Sequence, residues 1–259
     1  MPDLSIDLPW VVLAAAFAAG LIDAMVGGGG LIQIPALFAV YPGVAPAALL
    51  GTSKFAGLFG TVSAVVRYAQ KVVIPWRALL PLALVALLMS LGGARLATIV
   101  KPDIFRPLVP IMLLAVLIYV LWRKDLGGEH APRAFAGSHH LVGAVLIAAI
   151  GMYDGFFGPG TGSLLIFVFV RCYGYDFLHA GAAARAVNVA TNAAALAYFA
   201  VHGLVLWYVG AAMAACNIAG AIVGARLALR GGSAFVRQAF IVIVGLLILR
   251  TAWTAMQGK

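Results

Sequence analysis

The stretch GLIDAMVGGGG, residues 20–30, places one acidic residue in an apolar run and follows it with four consecutive glycines. A second stretch, GMYDGFFGPGTGS at residues 151–163, repeats this order of an aspartate before a glycine-rich segment. Each glycine costs about 1 kcal/mol relative to alanine in a helix interior, and Pro159 also removes a backbone donor. Both stretches therefore predict a helix break beside a buried carboxylate.

The two stretches belong to a longer internal duplication. Asp23 and Asp154 are separated by 154 − 23 = 131 positions, and other residues match at the same offset without a gap. The matched pairs are Gly20 with Gly151, Gly27 with Gly158, Gly29 with Gly160, Lys54 with Arg185, Trp76 with Trp207, and GARLA at 93–97 with GARLA at 224–228. The sequence thus predicts a first transmembrane repeat at 1–128, a polar linker at 129–140 and a second transmembrane repeat at 141–259.

The composition places both repeats in a membrane. Of the 259 residues, 64% are hydrophobic and only 10% are charged, and the mean hydropathy is +1.07. A soluble domain of this length needs more polar surface, whereas apolar runs of about 20 residues are the length that a bilayer requires of a helix. The net charge of +9 comes without a basic, aromatic-interleaved patch, so we expect no nucleic-acid partner. The fold class predicted is an all-α polytopic membrane protein.

The hydrophobic pattern predicts five helices in each repeat. Those of the first repeat lie at 9–26, 31–41, 47–68, 77–98 and 106–122, and adding 131 gives those of the second. The first two pieces of each repeat either cross the membrane separately or form a re-entrant hairpin, which leaves five or three spans. Both numbers are odd, so consecutive repeats must have inverted topology. The basic residues of the loops then predict that the linker lies inside and both termini lie outside.

Helix breaks at membrane depth are tolerated where they line a cavity, because lipid cannot satisfy free backbone groups. The short helix after each break directs its N-terminal N–H groups into that cavity, which favours an anion. Lys54 and Arg185 lie inside apolar helices, and each costs very roughly 3 kcal/mol on insertion scales. They either pair with Asp23 and Asp154 alone, or pair with them and also serve a substrate. We therefore predict broken helices of the two repeats meeting at a central site.

The candidate substrate-binding residues are the break glycines, the buried cations and the polar side chains near them. They are Gly27, Gly28, Gly29, Gly30, Thr52, Ser53, Lys54, Gly158, Gly160, Thr161, Arg185, Asn188 and Asn192. Arg185, Asn188 and Asn192 share one helical face, since they stand at i, i+3 and i+7. Asp23 and Asp154 are the candidate proton-coupling or counter-ion residues. Burial and a neighbouring cation act on the proton affinity of such carboxylates in opposite directions, so either could titrate during transport.

These stretches resemble the TauE/SafE sulfite-exporter permeases, and are most similar to the YfcA-like branch. The resemblance is carried by IDAMVGGGGLIQIPAL, GTSKFAG, YDGFFGPGTGS, NVATN and the two copies of GARLA, and it extends over essentially the whole chain. It implies a bacterial inner-membrane permease that moves sulfite, organosulfonates or related sulfur-containing anions, usually outward. The family motif falls on Asp23, Gly27 to Gly30, Lys54, Asp154, Gly158, Pro159, Gly160 and Arg185. The sulfur specificity rests on the resemblance alone.

Other functions remain open at this stage. An anion channel would use the same residues, and an intramembrane lipid-phosphate enzyme could also combine repeats with broken helices. Such an enzyme needs clustered carboxylates or a nucleophile with its base, and we expect no catalytic residues. Cys172 and Cys216 fit neither a disulfide framework nor a metal site, and no metal or cofactor is predicted. The expected partners are a small sulfur-containing anion and the lipid bilayer, and a homo-oligomer is compatible with the sequence.

Overall fold

The computed structural model describes residues 8–99, 130–133 and 137–256, and its regular structure within these residues is entirely α-helical. The prediction of an all-α protein is therefore confirmed. The helices are α1 (Trp10–Val26), α2 (Gly30–Val40), α3 (Pro46–Ala69), α4 (Trp76–Ala97), α5 (Gly137–Phe156), α6 (Thr161–Tyr173), α7 (Phe177–Val201) and α8 (Trp207–Met256).

The predicted helices agree with the observed ones to within a few residues, with two differences. Helix α8 joins the predicted helices at 208–229 and 237–253, and the junction is a kink at Gly232, where φ is 70° and ψ is −171°. Helix α5 begins at Gly137, so the end of the predicted linker is already helical. The helix predicted at 106–122 lies outside the described residues.

Several helices are long and apolar enough to cross a membrane. They are α3, α4, α5 and the part of α8 at Trp207–Val242. Helices α2 and α6 have only 11 and 13 residues. At 1.5 Å per residue they extend about 16 and 20 Å, which is less than a hydrocarbon core of about 30 Å. The chain is a multi-pass helical membrane protein in which each short helix follows a break.

The two halves of the chain pack across each other. Helix α1 packs on α8, while α5 packs on α4. A side chain at Gly224 would meet the backbone carbonyl of Leu21, and one at Gly93 would meet the carbonyl of Met152. Leu21 and Met152 are themselves 131 positions apart, so the two contacts are equivalent under the predicted duplication. The inverted orientation of the two repeats in the membrane remains a prediction.

Helices α3 and α7 lie against each other between these two packed pairs. Each is in contact with the helix of the other half that carries a GARLA copy, since α3 packs on α8 and α7 on α4. Lys54 lies on α3 and Arg185 on α7, and both side chains are almost fully buried. The fold therefore brings both cations to the interior of the helix bundle.

Candidate functional site

A polar cavity lies where the break between α1 and α2 meets the break between α5 and α6. Helices α3, α7 and α8 complete its walls. The lining consists mainly of glycines and polar side chains: Ala19, Asp23, Gly27, Gly29, Gly30, Gln33, Ile34, Ser53, Lys54, Gly57, Thr61, Asp154, Phe157, Gly158, Gly160, Thr161, Gly162, Asn188, Asn192 and Asn217. The predicted breaks thus meet at one cavity, with contributions from both halves of the chain.

Both breaks depend on glycine in a left-handed conformation. Gly27 ends α1 at φ 80°, and its N–H donates to the carbonyl of Asp23 over 2.9 Å. Gly158 and Gly160 adopt φ of 93° and 81° between α5 and α6. Residues with a Cβ rarely adopt such angles, which explains why these positions are glycine.

The two breaks are joined directly. The N–H of Ser163 donates to the carbonyl of Gly27 over 3.1 Å, and its hydroxyl donates to the carbonyl of Val26 over 2.8 Å. The last carbonyls of a helix have no partner inside that helix, so α6 satisfies two acceptors at the end of α1. The first turns of α2 and α6 consequently lie at the cavity, where their partial positive charge favours an anion.

Lys54 and Asp154 form a buried ion pair in the cavity wall. The Lys54 Nζ to Asp154 Oδ1 distance is 2.8 Å, and the two residues are 6% and 2% exposed. Asp154 Oδ2 is buried and has no hydrogen-bond partner among the described residues. A Cβ atom at position 158 would lie only 2.7 Å from Lys54 Nζ and 2.9 Å from Asp154 Oδ1. Glycine at this position therefore leaves room for the ion pair.

Arg185 has different partners from Lys54, which occupies the equivalent position in the first repeat. Its Nη2 donates to the backbone carbonyl of Asp23 over 2.7 Å, its Nη1 donates to the carbonyl of Gly181, and its guanidinium lies 4.7 Å from the ring centre of Tyr68. Tyr68 in turn donates to the carbonyl of Ala24 over 3.0 Å. Arg185 therefore stabilises the negative end of α1 and does not pair with the Asp23 carboxylate.

The carboxylate of Asp23 faces the cavity with weak partners. The N–H of Gly29 and the hydroxyl of Thr61 each lie 3.4 Å from one of its oxygens. Both distances exceed those of ordinary charge-assisted hydrogen bonds. The Asp23 carboxylate can therefore still accept a proton, or a stronger hydrogen bond from a substrate hydroxyl.

Carboxamide side chains form the remaining polar wall. Asn217 Nδ2 donates to Gln33 Oε1 over 2.8 Å, and Gln33 Nε2 donates to the carbonyl and hydroxyl of Ser53 over 3.0 Å each. Asn192 Nδ2 donates to Asn188 Oδ1 over 2.9 Å. Asn217 and Gln33 thus link α8, α2 and α3 around the cavity, while Asn188 and Asn192 bond to each other along α7.

The structure places most of the predicted residues in the lining. These are Asp23, Gly27, Gly29, Gly30, Ser53, Lys54, Asp154, Gly158, Gly160, Thr161, Asn188 and Asn192. Gly28, Thr52 and Arg185 do not contribute to it. The Thr52 hydroxyl donates to the carbonyl of Ala48 over 2.7 Å and accepts the N–H of Leu206 over 2.9 Å, so it connects α3 to the start of α8.

Sequence reasoning missed Gln33 and Asn217 as site residues. Each is a lone amide in an apolar helix, and an unsatisfied amide is costly in lipid. A lone amide among apolar residues was therefore the sequence signal that could have identified these two positions. The repeat offset could not help, because the partners of these positions, Leu164 and Ala86, are apolar.

Comparison with known proteins finds a family of membrane transporters. The family described as "Sulfite exporter TauE/SafE" matches residues 12–251. The chain is similar to "Probable membrane transporter protein ORF9" of Sinorhizobium sp, with 36% identity over 96% of this chain and 94% of that protein. It is 35% identical to "Probable membrane transporter protein" of Haemophilus influenzae over 93% of both chains. It is 33% identical to "Probable membrane transporter protein YfcA" of Escherichia coli K12, over 90% of this chain and 85% of that one.

No solved structure gives a significant match. The family match and the relatives each cover nearly the whole chain. The chain therefore belongs to the TauE/SafE family of membrane transporters.

Proposed function

We propose that this transporter carries sulfite, an organosulfonate or a related sulfur-containing anion out of the cell across the bacterial inner membrane, linked to proton movement. The observation that carries the proposal is the buried Lys54–Asp154 ion pair at the cavity where the two breaks meet. The description of the family as sulfite exporters supports the cargo class. The names of the relatives as transporters support a carrier function without a catalytic step.

The ion pair offers an exchange site for an anion. An oxygen of sulfite or a sulfonate can replace Asp154 Oδ1 at the Lys54 ammonium, because all are oxygen acceptors that bind a cation through charge-assisted hydrogen bonds. The N-termini of α2 and α6 and the amides of Gln33 and Asn217 supply further polar contacts. Such an anion binds without leaving Lys54 unpaired in the apolar interior.

Proton linkage follows from this exchange. When an anion displaces Asp154 from Lys54, the carboxylate loses its cation, and protonation removes the resulting buried charge. Asp23 is the second proton acceptor at the cavity, since its carboxylate has only weak partners. Because binding linkage is reciprocal, a proton gradient then biases anion movement.

Binding measurements on the purified protein test the anion site. Titrations should compare sulfite, methanesulfonate, thiosulfate and sulfate with wild type, Lys54→Gln and Lys71→Gln. Lys71 is an exposed cation after α3 and serves as the matched control. A hydrogen bond to a charged group contributes about 1.5–3 kcal/mol, so Lys54→Gln should weaken binding by about ten- to hundred-fold. Equal affinity in wild type and Lys54→Gln would contradict the proposed site, and preference for sulfate would contradict the cargo class.

A further inference from the structure

A group of metal-ligating side chains lies apart from the anion cavity, at the start of α7. Asp176 caps this helix and His179 occupies its first turn, while His130 comes from the segment 130–133. One potential ligand atom from each of these three residues lies within 4.8 Å of the others. The triad lies at a helix end and shares no residue with the cavity lining.

Backbone contacts position all three side chains. The N–H of Ala131 donates to the carbonyl of Gly174 over 3.0 Å, which holds His130 beside the turn that leads into α7. Asp176 Oδ1 accepts the N–H of His179 over 2.7 Å, as an N-cap does. The cap explains Asp176, but it does not explain why His130 stacks on His179 with ring centres 3.7 Å apart.

His179 and Asp176 already face each other as two ligands of one ion do. His179 Nδ1 lies 2.8 Å from Asp176 Oδ1, and a carboxylate oxygen only accepts, so the hydrogen bond between them places the proton on Nδ1. A divalent ion binds in place of this proton, which is released to solvent, as happens when histidine ligands bind a metal. Nδ1 and Oδ1 then both bind the ion.

His130 can supply the third ligand. Its side chain is exposed, so the ring can turn, and the three ligand atoms lie within 4.8 Å of one another. A shared zinc ion binds such nitrogen and oxygen ligands at about 2.0–2.2 Å.

We propose that His130, Asp176 and His179 bind one first-row divalent metal ion of the zinc class, which joins segment 130–133 to the start of α7. Two imidazoles and a carboxylate are ligands that Zn²⁺ accepts readily, and water can complete the coordination on the exposed side. The bound ion holds part of the linker, which is predicted to lie inside the cell, against the start of α7. This site is independent of the transported anion.

Titration of the full-length protein with Zn²⁺ tests the site. The protein should carry an affinity tag without histidine and be measured by calorimetry in a buffer that does not chelate metals. Wild type should bind one Zn²⁺ per chain, and His130→Gln should weaken this binding at least about tenfold, as loss of a ligand contact does. His202→Gln is the matched control, since His202 is exposed on another loop, and it should bind as wild type does.

The outcomes distinguish a specific metal site from nonspecific binding of Zn²⁺ to the protein surface. Loss in His130→Gln with retention in His202→Gln supports the triad. The proposal is wrong if wild type binds no Zn²⁺ or if His130→Gln and wild type bind it equally. It is also wrong if His202→Gln loses as much affinity as His130→Gln. His130→Gln is the decisive variant, because His130 lies outside the helices and its replacement leaves the cap of α7 intact.

Discussion

Lys54 and Arg185 occupy matched positions in the duplicated sequence but serve different purposes. Lys54 pairs with a carboxylate at the cavity, whereas Arg185 binds the backbone carbonyls of Asp23 on α1 and Gly181 on α7. The difference fits their chemistry, because guanidinium has several donors in a fixed plane and ammonium is a compact point charge. The ammonium of Lys54 has one carboxylate partner, which an anion can replace. The guanidinium of Arg185 is held by two backbone carbonyls and stabilises the end of α1.

The ion pair makes a prediction about stability. Asp154→Asn should destabilise the protein strongly, since breaking a buried pair costs about 3–5 kcal/mol by leaving the partner charge uncompensated. Lys54→Gln combined with Asp154→Asn should recover at least half of that loss while leaving anion binding weak. Thermal unfolding of the purified variants measures this. A double variant as unstable as Asp154→Asn would contradict the pairing.

The aspartates make a prediction about pH. Protonation of Asp154 releases Lys54 to an anion, so the anion affinity of wild type should rise as the pH falls. Asp23→Asn combined with Asp154→Asn removes both carboxylates and should give binding of methanesulfonate, whose own charge stays constant, that no longer changes with pH. Titrations at several pH values check this on the folded fraction of each protein. If the double variant keeps the pH dependence of wild type, the aspartates are only structural counter-ions.

At the scale of helices, small residues determine how closely the halves approach. Gly93 on α4 lies against the backbone of α5, and its repeat mate Gly224 on α8 lies against the backbone of α1. Small residues at such crossings allow the close packing that drives helix association in lipid. The crossings matter for the site because α1 and α5 carry Asp23 and Asp154 at their ends.

Adjacent glycines on α4 give a matched test of this packing. A methyl group at Gly93 would overlap the carbonyl of Met152, whereas one at Gly92 meets nothing within 4 Å. Gly93→Ala should therefore lower the melting temperature, while Gly92→Ala should leave it unchanged or raise it, since alanine favours a helix by about 1 kcal/mol over glycine. Equal melting temperatures for the two variants would show that the crossing is not as close as described.

At the scale of the whole molecule, cysteine labelling from each side of the membrane tests the predicted inversion of the repeats. Gln70 and Val201 are repeat mates, since 70 + 131 = 201, and both are exposed at the ends of α3 and α7. With Cys172 and Cys216 replaced, single cysteines at these two positions should label from opposite sides of the membrane, position 70 from inside and position 201 from outside. Labelling of both positions from one side would contradict the inversion.

Much of this architecture could be predicted because membrane helices and breaks have strong local signals. Four glycines and a proline cannot remain in a regular helix without cost, so the breaks were visible in the sequence. The partners of the buried charges could not be read from the sequence. The carboxylate that pairs with Lys54 is determined by how α3 packs beside the second break. The contact of Thr52 with the start of α8 likewise depends on how α3 packs, because its hydroxyl accepts the N–H of Leu206.

The central claim is that the Lys54–Asp154 pair is the anion site of a proton-linked carrier. Uptake of radiolabelled sulfite into proteoliposomes with an imposed pH gradient tests it most directly, using wild type, Lys54→Gln and Lys71→Gln. The account predicts saturable accumulation that depends on the gradient in wild type and Lys71→Gln, and a loss of about tenfold or more in Lys54→Gln. Non-saturable flux in wild type, or equal accumulation in wild type and Lys54→Gln, would contradict it.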